Sequence, residues 1–317
     1  MHITVLDGYT LNPGDLCWDD FENLGELSVY MRTPEDQLLE RAKDSEVLIT
    51  NKVVIDEAAI SALPKLKYIG VIATGYNVVD TEAAKKHGVV VTNIPAYSTM
   101  SVAQHVFAQL LAVTDRPEHY AAEVKEGKWT KCRDFCYWDT PLVELAGKNF
   151  GIIGMGSIGK AVAKIAQAFG MNVLAFSSKD QAALPEGVKK VSLDELYHDC
   201  DVISLHCPLT ETTRHIINKE AISKMKDGVI LINTGRGPLI DEKDVAEGLK
   251  DGKIGAFCAD VLSSEPPSPD NPLLAAPNTY ISPHIAWATK EARMRLMDIA
   301  VNNLKEFLAG HPVNVVN

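Results

Sequence analysis

FGIIGMGSIGKAVAKIAQAFG, residues 150–170, is the stretch whose reading decides the fold. Phe150 to Ile153 is a short apolar run, Gly154, Gly156 and Gly159 follow in G-x-G-x-x-G spacing, and Val162, Ile165, Ala166 and Phe169 then recur at helical intervals. Strand, tight turn and helix in that order make a phosphate cradle. Gly154 permits the turn, Gly156 lets the backbone approach a pyrophosphate, and Gly159 lets helix and strand pack closely. The helix start, with its unsatisfied N–H groups, faces the anion. The spacing alone also fits a glycine-rich turn without a ligand; strand before and helix after favour dinucleotide binding.

On the C-terminal side, MNVLAFS, DVISLHC, GVILINT, IGAFCAD and TYISPH are strand candidates, and SLDELYHD, NKEAISKM and DEKDVAEGLKDG are helix candidates between them. That βαβ rhythm, starting at Lys148, is the one expected of a Rossmann domain. On the N-terminal side, ITVL, LSVYM, EVLIT, LKYIGVIA and GVVVTNIP alternate with polar segments whose first residues are acidic, as at helix starts. This alternation predicts a second parallel sheet, and Thr33 with Asp36 fits a capping box. The loops Asn51–Lys52 and Ala73–Asn77 fall at carboxyl strand ends, where open α/β sheets bind ligands. They are candidate substrate loops, although Gly75 and Asn77 also suit a plain turn. Residues 98–116 predict a long, buried helix, apolar on more than one face, and ATKEARMRLMDIAVNNLKEFLAG, residues 288–310, predicts an amphipathic helix ended by Gly310. Between them, GKWTKCRDFCYWDTPLVELAG is irregular and aromatic; Trp129, Tyr137 and Trp138 suit either a partner surface or anchors to their own domain.

The chain has 317 residues, which favours two domains. A formal net charge of −11 disfavours a nucleic-acid or anionic-membrane surface. No secretory signal pattern and no run of 18 apolar residues occurs, so a cytoplasmic protein with reduced thiols is expected. The six cysteines lack C-x-x-C spacing and the nine histidines lack an H-E-x-x-H pair, so no metal is expected.

About twenty residues after such a glycine fingerprint an acid normally holds the ribose 2′-hydroxyl of NAD. Here MNVLAFSSKD places Ser177, Ser178 and Lys179 at the strand end, with Asp180 beyond. Without a carboxylate to repel it, a 2′-phosphate finds two hydroxyls and a cation, so NADP is favoured over NAD at this position. Solvation of Lys179, with NAD held by the hydroxyls, is the alternative. Three further residues stand at or near late strand ends: Arg236 in NTGRG, Glu265 in ADVLSSEPP and His284 in SPHIAW. Reducing a 2-keto acid requires a cation for the carboxylate and an acid to protonate the oxygen as hydride arrives. Arg236 and His284 meet those needs, and Glu265 beside His284 orients the imidazole and stabilises its protonated form.

ATGYNVVD, GIIGMGSIGKAVA, LHCPLT with Thr213 after it, LINTGRGPLID, GAFCADVLSSEP and SPHIAWAT occur in that order across nearly the whole chain. In these blocks the sequence resembles the D-isomer-specific 2-hydroxyacid dehydrogenases. The resemblance implies that His284 is the general acid/base, Glu265 its partner and Arg236 the substrate-binding cation. It implies that backbone N–H groups around Gly75 and Tyr76, in a loop with Thr74, take the substrate carboxylate, and it sets Asn51 and Trp287 among the substrate residues. Met155, Ser157 and Ile158 then join the three glycines at the pyrophosphate, while Cys207, Pro208, Thr213, Asn233, Thr234, Arg236, Asp260 and His284 belong to the cofactor site. Within the family, TGYNVVD, AYSTMSVAQHVFAQLL, the FCYWDTPL loop and SPHIAW together are most similar to members that reduce hydroxypyruvate to D-glycerate or glyoxylate to glycolate. Trp287 is bulky and implies a small substrate side chain; related enzymes also imply a homodimer in which Trp138 reaches the neighbouring subunit. Ser177 departs from the aspartate that many members carry.

The expected fold class is therefore α/β, with a Rossmann dinucleotide-binding domain at 98–284 inserted into a flavodoxin-like α/β substrate domain at 1–97 and 285–317, and the active site between them. The expected activity is hydride transfer between NAD or NADP and a small 2-keto acid. Alternatives are a D-lactate or phosphoglycerate type dehydrogenase, or a dinucleotide-sensing, corepressor-like binding protein; the absence of a further tail after HPVNVVN speaks against the last.

Overall fold

Short, unbroken apolar runs become strands covered on both faces, because crossover helices lie on each side of a parallel sheet. The computed structural model describes all 317 residues, which divide into two compact units, Met1–Ser98 with Ala288–Asn317, and Thr99–Trp287.

In the first unit β1 (His2–Val5), β2 (Glu26–Val29), β3 (Val47–Thr50), β4 (Tyr68–Val71) and β5 (Val90–Thr92) form one parallel sheet in the order β2-β1-β3-β4-β5. This is the flavodoxin-like winding. Every residue of β3 and β4 is buried. Leu48, Ile69, Val71 and Val91 meet Ile60, Ala83 and Ala84 of the crossover helices in one core. Two of those helices begin as their acidic starts predict: Asp56 accepts from the Ala59 N–H at 2.8 Å and Asp80 from the Ala83 N–H at 2.9 Å. The Thr33–Asp36 capping box does not form. Thr33 instead donates its hydroxyl to the Leu6 carbonyl at 2.6 Å, and the turn Glu35–Gln37 starts after Pro34 without a side-chain cap. The helix Lys290–Leu308 completes this unit. Its Phe307 ring lies 4.8 Å from that of Tyr68, and its Arg293 makes a two-pronged pair with Asp15 at 2.6 and 2.7 Å.

In the second unit β6 (Asn149–Ile153), β7 (Asn172–Phe176), β8 (Val188–Lys190), β9 (Val202–Leu205), β10 (Val229–Asn233), β11 (Ile254–Ala259) and β12 (Thr279–Ile281) form an all-parallel sheet. The order is β12-β11-β10-β9-β6-β7-β8, so the chain winds outward in both directions from β6. This is the Rossmann winding. Several short elements went unforeseen, among them β8, the helix Asp19–Glu22 of the first unit and the helix Pro117–Lys125. Strand β8 buries only Val188, and the helix Pro117–Lys125 buries no residue, so neither shows an apolar pattern to read. The helix Thr99–Thr114 buries Val102, Val106, Phe107 and Leu110, and packs against the helix Ser157–Ala168.

The second crossing lies three residues later than the sequence suggested, after Trp287 rather than His284. The N–H groups of Ile285 and Ala286 bind the buried carboxylate of Asp260, and the Ala286 carbonyl accepts from Ser101, so these residues stay with the second unit. No helix is long and apolar enough to cross a membrane.

Candidate active site

The glycine turn does what its spacing requires. Gly154, immediately after β6, has φ +103°, and a side chain there would stand 2.5 Å from the Cys207 amide and 2.6 Å from the His206 carbonyl. A Cβ on Gly159 would meet the Gly154 carbonyl oxygen at 2.2 Å, whereas one on Gly156 would meet nothing within 4 Å. Thus the first and third glycines are demanded by the protein's own packing, and the second borders open space. Gly156 is also the N-cap of the helix Ser157–Ala168 and supplies no side-chain cap. The helix start therefore presents its N–H groups and positive dipole end outward. Met155 is buried, so only its backbone borders this turn; Ile158 packs partly into the core and Ser157 is exposed.

Ser177 directly follows β7, and its hydroxyl accepts from the Lys179 amide at 3.1 Å. Lys179 is partly buried and has no carboxylate within ion-pair distance, whereas Asp180 is turned to solvent and approaches Lys190 only at 4.0 Å. At the end of β9, burial pushes the Cys207 thiol up and, although part of His206 reaches solvent, pushes its imidazole down to about 4. Both are held in their neutral forms. Thr213 closes the following loop by donating to the Pro208 carbonyl at 2.6 Å.

Arg236, Glu265 and His284 come from loops after β10, β11 and β12. Asn233, fully buried, donates to the Arg236 carbonyl at 2.9 Å and accepts from the Gly235 amide at 3.1 Å, which folds NTGRG back over the strand end. Its side chain is thus used internally. Gly237 then lets this loop touch the next one: a Cβ there would be 2.0 Å from the Leu262 carbonyl carbon. The Arg236 side chain is exposed and donates to the Gly235 carbonyl, with no carboxylate paired to it. Glu265 is held by the Leu262 N–H at 3.2 Å and places its other carboxylate oxygen 2.6 Å from His284 Nδ1. With a carboxylate as acceptor, Nδ1 carries the hydrogen. His284 sits in the left-handed region at φ +55° and is about one-third exposed.

In the first unit, the Asn51 amide is spent on the Asp7 carboxylate at 2.8 Å and its side chain donates to Thr10 at 2.8 Å; Asn51 is buried. Thr74 donates to the Ile94 carbonyl, anchoring the loop in which the N–H groups of Gly75 and Tyr76 find no backbone acceptor. The Tyr76 side chain is exposed. Trp287 closes the second unit and is partly buried.

Several positions escaped the sequence. Asp7 carries the Asn51–Lys52 loop, and Ser282, His105 and Gln109 surround Asp260. Their only signal is polarity at a strand end or on a buried helix. The aromatic segment divides its roles: Tyr137 lies against Lys128, while Phe135 is 88 % and Trp138 67 % exposed. Nearby, His119, Glu123 and Asp139 offer ligand atoms within 4.8 Å of one another, but Lys128 already donates to Glu123 at 2.6 Å and to Asp139 at 2.9 Å. That ammonium, followed by His119, holds the Asp139 carboxyl well below its usual range.

Residues 107–286 match the family described as D-isomer specific 2-hydroxyacid dehydrogenase, NAD binding domain. The chain is 53 % identical over 321 residues to a hydroxypyruvate reductase of Blautia hydrogenotrophica, covering 100 % of both proteins. It is 44 % identical over 286 residues to a glycerate dehydrogenase of Methylorubrum extorquens, covering 90 % of this chain and 89 % of that protein. Among solved structures, the TT0316 protein of Thermus thermophilus superposes with a TM-score of 0.86 at 35 % identity over 100 % of both chains. A nicotinamide dinucleotide is accordingly the cofactor class of the glycine turn, whose open, uncapped helix start fits its pyrophosphate. The chain belongs to the D-isomer specific 2-hydroxyacid dehydrogenase family.

Proposed function

We propose that this enzyme reduces a small 2-keto acid to its D-2-hydroxy acid, with hydroxypyruvate and glyoxylate as the principal substrates and D-glycerate and glycolate as products. The observation that carries the reading is the His284–Glu265 pair at 2.6 Å, with the loop that bears Glu265 packed against the one that bears the unpaired Arg236. The bound nicotinamide dinucleotide supplies the hydride to the keto carbon. Because Glu265 takes the Nδ1 hydrogen, Nε2 is the atom with which His284 hands a proton to the keto oxygen. Glu265 orients the ring through that hydrogen bond. Arg236 supplies a fixed cation for the substrate carboxylate and polarises the carbonyl. The N–H groups of Gly75 and Tyr76, which lack a backbone acceptor, are carboxylate donors in this reading, and Trp287 restricts the substrate side chain to hydrogen or hydroxymethyl. The names of the relatives above support the choice of substrate.

NADP is the preferred form in this reading, supported by Ser177 and Ser178 at the end of β7 and by Lys179 without an acidic partner. A homodimer using the aromatic segment, with its exposed Phe135 and Trp138, and a cytoplasmic setting suited to six free thiols complete the proposal. The test is initial rates for hydroxypyruvate, glyoxylate and pyruvate with NADH and NADPH in turn. Hydroxypyruvate or glyoxylate should give the highest kcat/KM, with NADPH. Preference for pyruvate would replace the substrate assignment, and equal or better use of NADH would remove the inference from Ser177, Ser178 and Lys179.

A further inference from the structure

His284 is a non-glycine residue in a left-handed backbone conformation, which is unfavourable and persists only where its surroundings impose it. Asp260 imposes it. This carboxylate is 2 % exposed, and it takes the Ile285 N–H on Oδ1 and the Ala286 N–H on Oδ2, each at 2.8 Å. Oδ1 also receives the Ser282 hydroxyl at 2.6 Å. Residues on both sides of His284 are therefore tied to one buried group.

The hydroxyl of Ser282 has one hydrogen and two acceptors within reach, Asp260 at 2.6 Å and the Ala259 carbonyl at 3.3 Å. Its choice is settled from the helix Thr99–Thr114. Gln109 Nε2 donates to that carbonyl at 3.0 Å and also stands 3.3 Å from Ser282 Oγ. His105 Nε2 lies 2.9 Å from the same oxygen and 3.7 Å from Asp260 Oδ1. With Nε2 protonated, His105 donates to Ser282 and leaves its hydrogen directed at Asp260. Four residues before His105, Ser101 binds the Ala286 carbonyl at 2.6 Å. Ser101, His105 and Gln109 recur every fourth residue, a polar stripe on a largely buried helix. Such a stripe is destabilising unless its groups are paired; Ser101, His105 and Gln109 Nε2 each meet a strand end or the loop that carries His284, while Gln109 Oε1 is buried without a partner.

We propose that His105 is a positioning residue for the proton donor, acting through Ser282 and Asp260 to fix the backbone on either side of His284. The proposal rests on the reading of His284 as the proton donor. It can be tested with His105→Leu and His105→Gln, each made alone and in a His284→Ala background, measuring kcat and, by fluorescence titration, dinucleotide affinity. His105→Leu should lower kcat about tenfold, as a small displacement of a reacting group does, without weakening dinucleotide binding. His105→Gln, whose amide can occupy the place of Nε2–H, should restore most of that loss. In the His284→Ala background His105→Leu should have no further effect, because the group it positions is gone. Unchanged kcat in His105→Leu, equal losses in the Leu and Gln variants, or an equal loss in both backgrounds would overturn the proposal. Should His105→Leu fail to fold, Ser282→Ala carries the same cycle. Near-normal turnover of His284→Ala alone would defeat the underlying reading, an outcome distinct from the failure of the cycle.

Discussion

The two parallel sheets treat the carboxyl end of their first strand in opposite ways. After β1, the first unit places Asp7, whose carboxylate accepts the N–H groups of Asn51 at 2.8 Å and Lys52 at 2.6 Å. After β6, the second unit places Gly154, Met155 and Gly156, with no side chain to fill the turn and no cap on the following helix. Both sites present backbone donors to an anion. In the first the anion belongs to the protein, so it fixes a loop; in the second the donors stay available to a ligand. A shared winding therefore implies neither a shared site nor a shared ligand.

Breaking the second site should have the largest effect. Gly159→Val forces a side chain onto the Gly154 carbonyl, and about 3 kcal/mol of strain corresponds to roughly a hundredfold loss of dinucleotide affinity in a titration. An unchanged dissociation constant would show that the turn does not hold the pyrophosphate. Asp7→Ala should act on the other member of the pair, leaving two N–H groups without their acceptor and lowering unfolding free energy in urea by about 1–3 kcal/mol. Dinucleotide affinity should be retained; if it fell as well, the two ends would not be independent.

A smaller change sharpens the ligand of the open site. Ser177→Asp restores a carboxylate at the end of β7, and repulsion of a 2′-phosphate should shift the NADPH-to-NADH ratio of kcat/KM on the order of tenfold toward NADH, about 1.4 kcal/mol. No shift would mean that this residue does not face the ribose. A pH profile tests His206, beside Gly154. Burial lowers its imidazole from 6.5 to about 4, so between those values the unfolded chain binds a proton that the folded chain does not. Its contribution makes stability rise with pH across that window. His206→Gln should flatten unfolding free energy against pH between about 4 and 6.5 relative to the parent, and an unchanged slope would place the protonated ring in the native state.

The open site was legible because it depends on local sequence: the three glycines lie within six residues, the first and third answer to backbone conformation or close packing, and the second borders open space. The strands were legible for a similar reason, since burial on both faces writes continuous apolar runs. Strand β8 and the helix Pro117–Lys125 bury too little to leave a pattern. The Thr33–Asp36 pairing failed because a carbonyl distant in sequence, that of Leu6, was the better partner for the hydroxyl. Arg236, Glu265 and His284 were each readable as polar residues near strand ends. The contact of the Arg236 loop with the loop that bears Glu265 depends on Asn233 and Gly237, which bend the first and press it against the second, and the Glu265–His284 contact joins two separate strand-end loops.

By itself, the sequence determined the alternation of strands and helices, the glycine turn, the missing acid at Ser177 and the candidate polar residues, because all are properties of neighbours along the chain. Only the tertiary structure decided the 2.6 Å contact between Glu265 and His284. The same is true of the left-handed backbone at His284 and the polar stripe of Ser101, His105 and Gln109 that reaches it through Ser282 and Asp260. These links join residues up to 185 positions apart. Hydrogen bonds of that span are specified by the way strands and helices pack, and no local pattern encodes them.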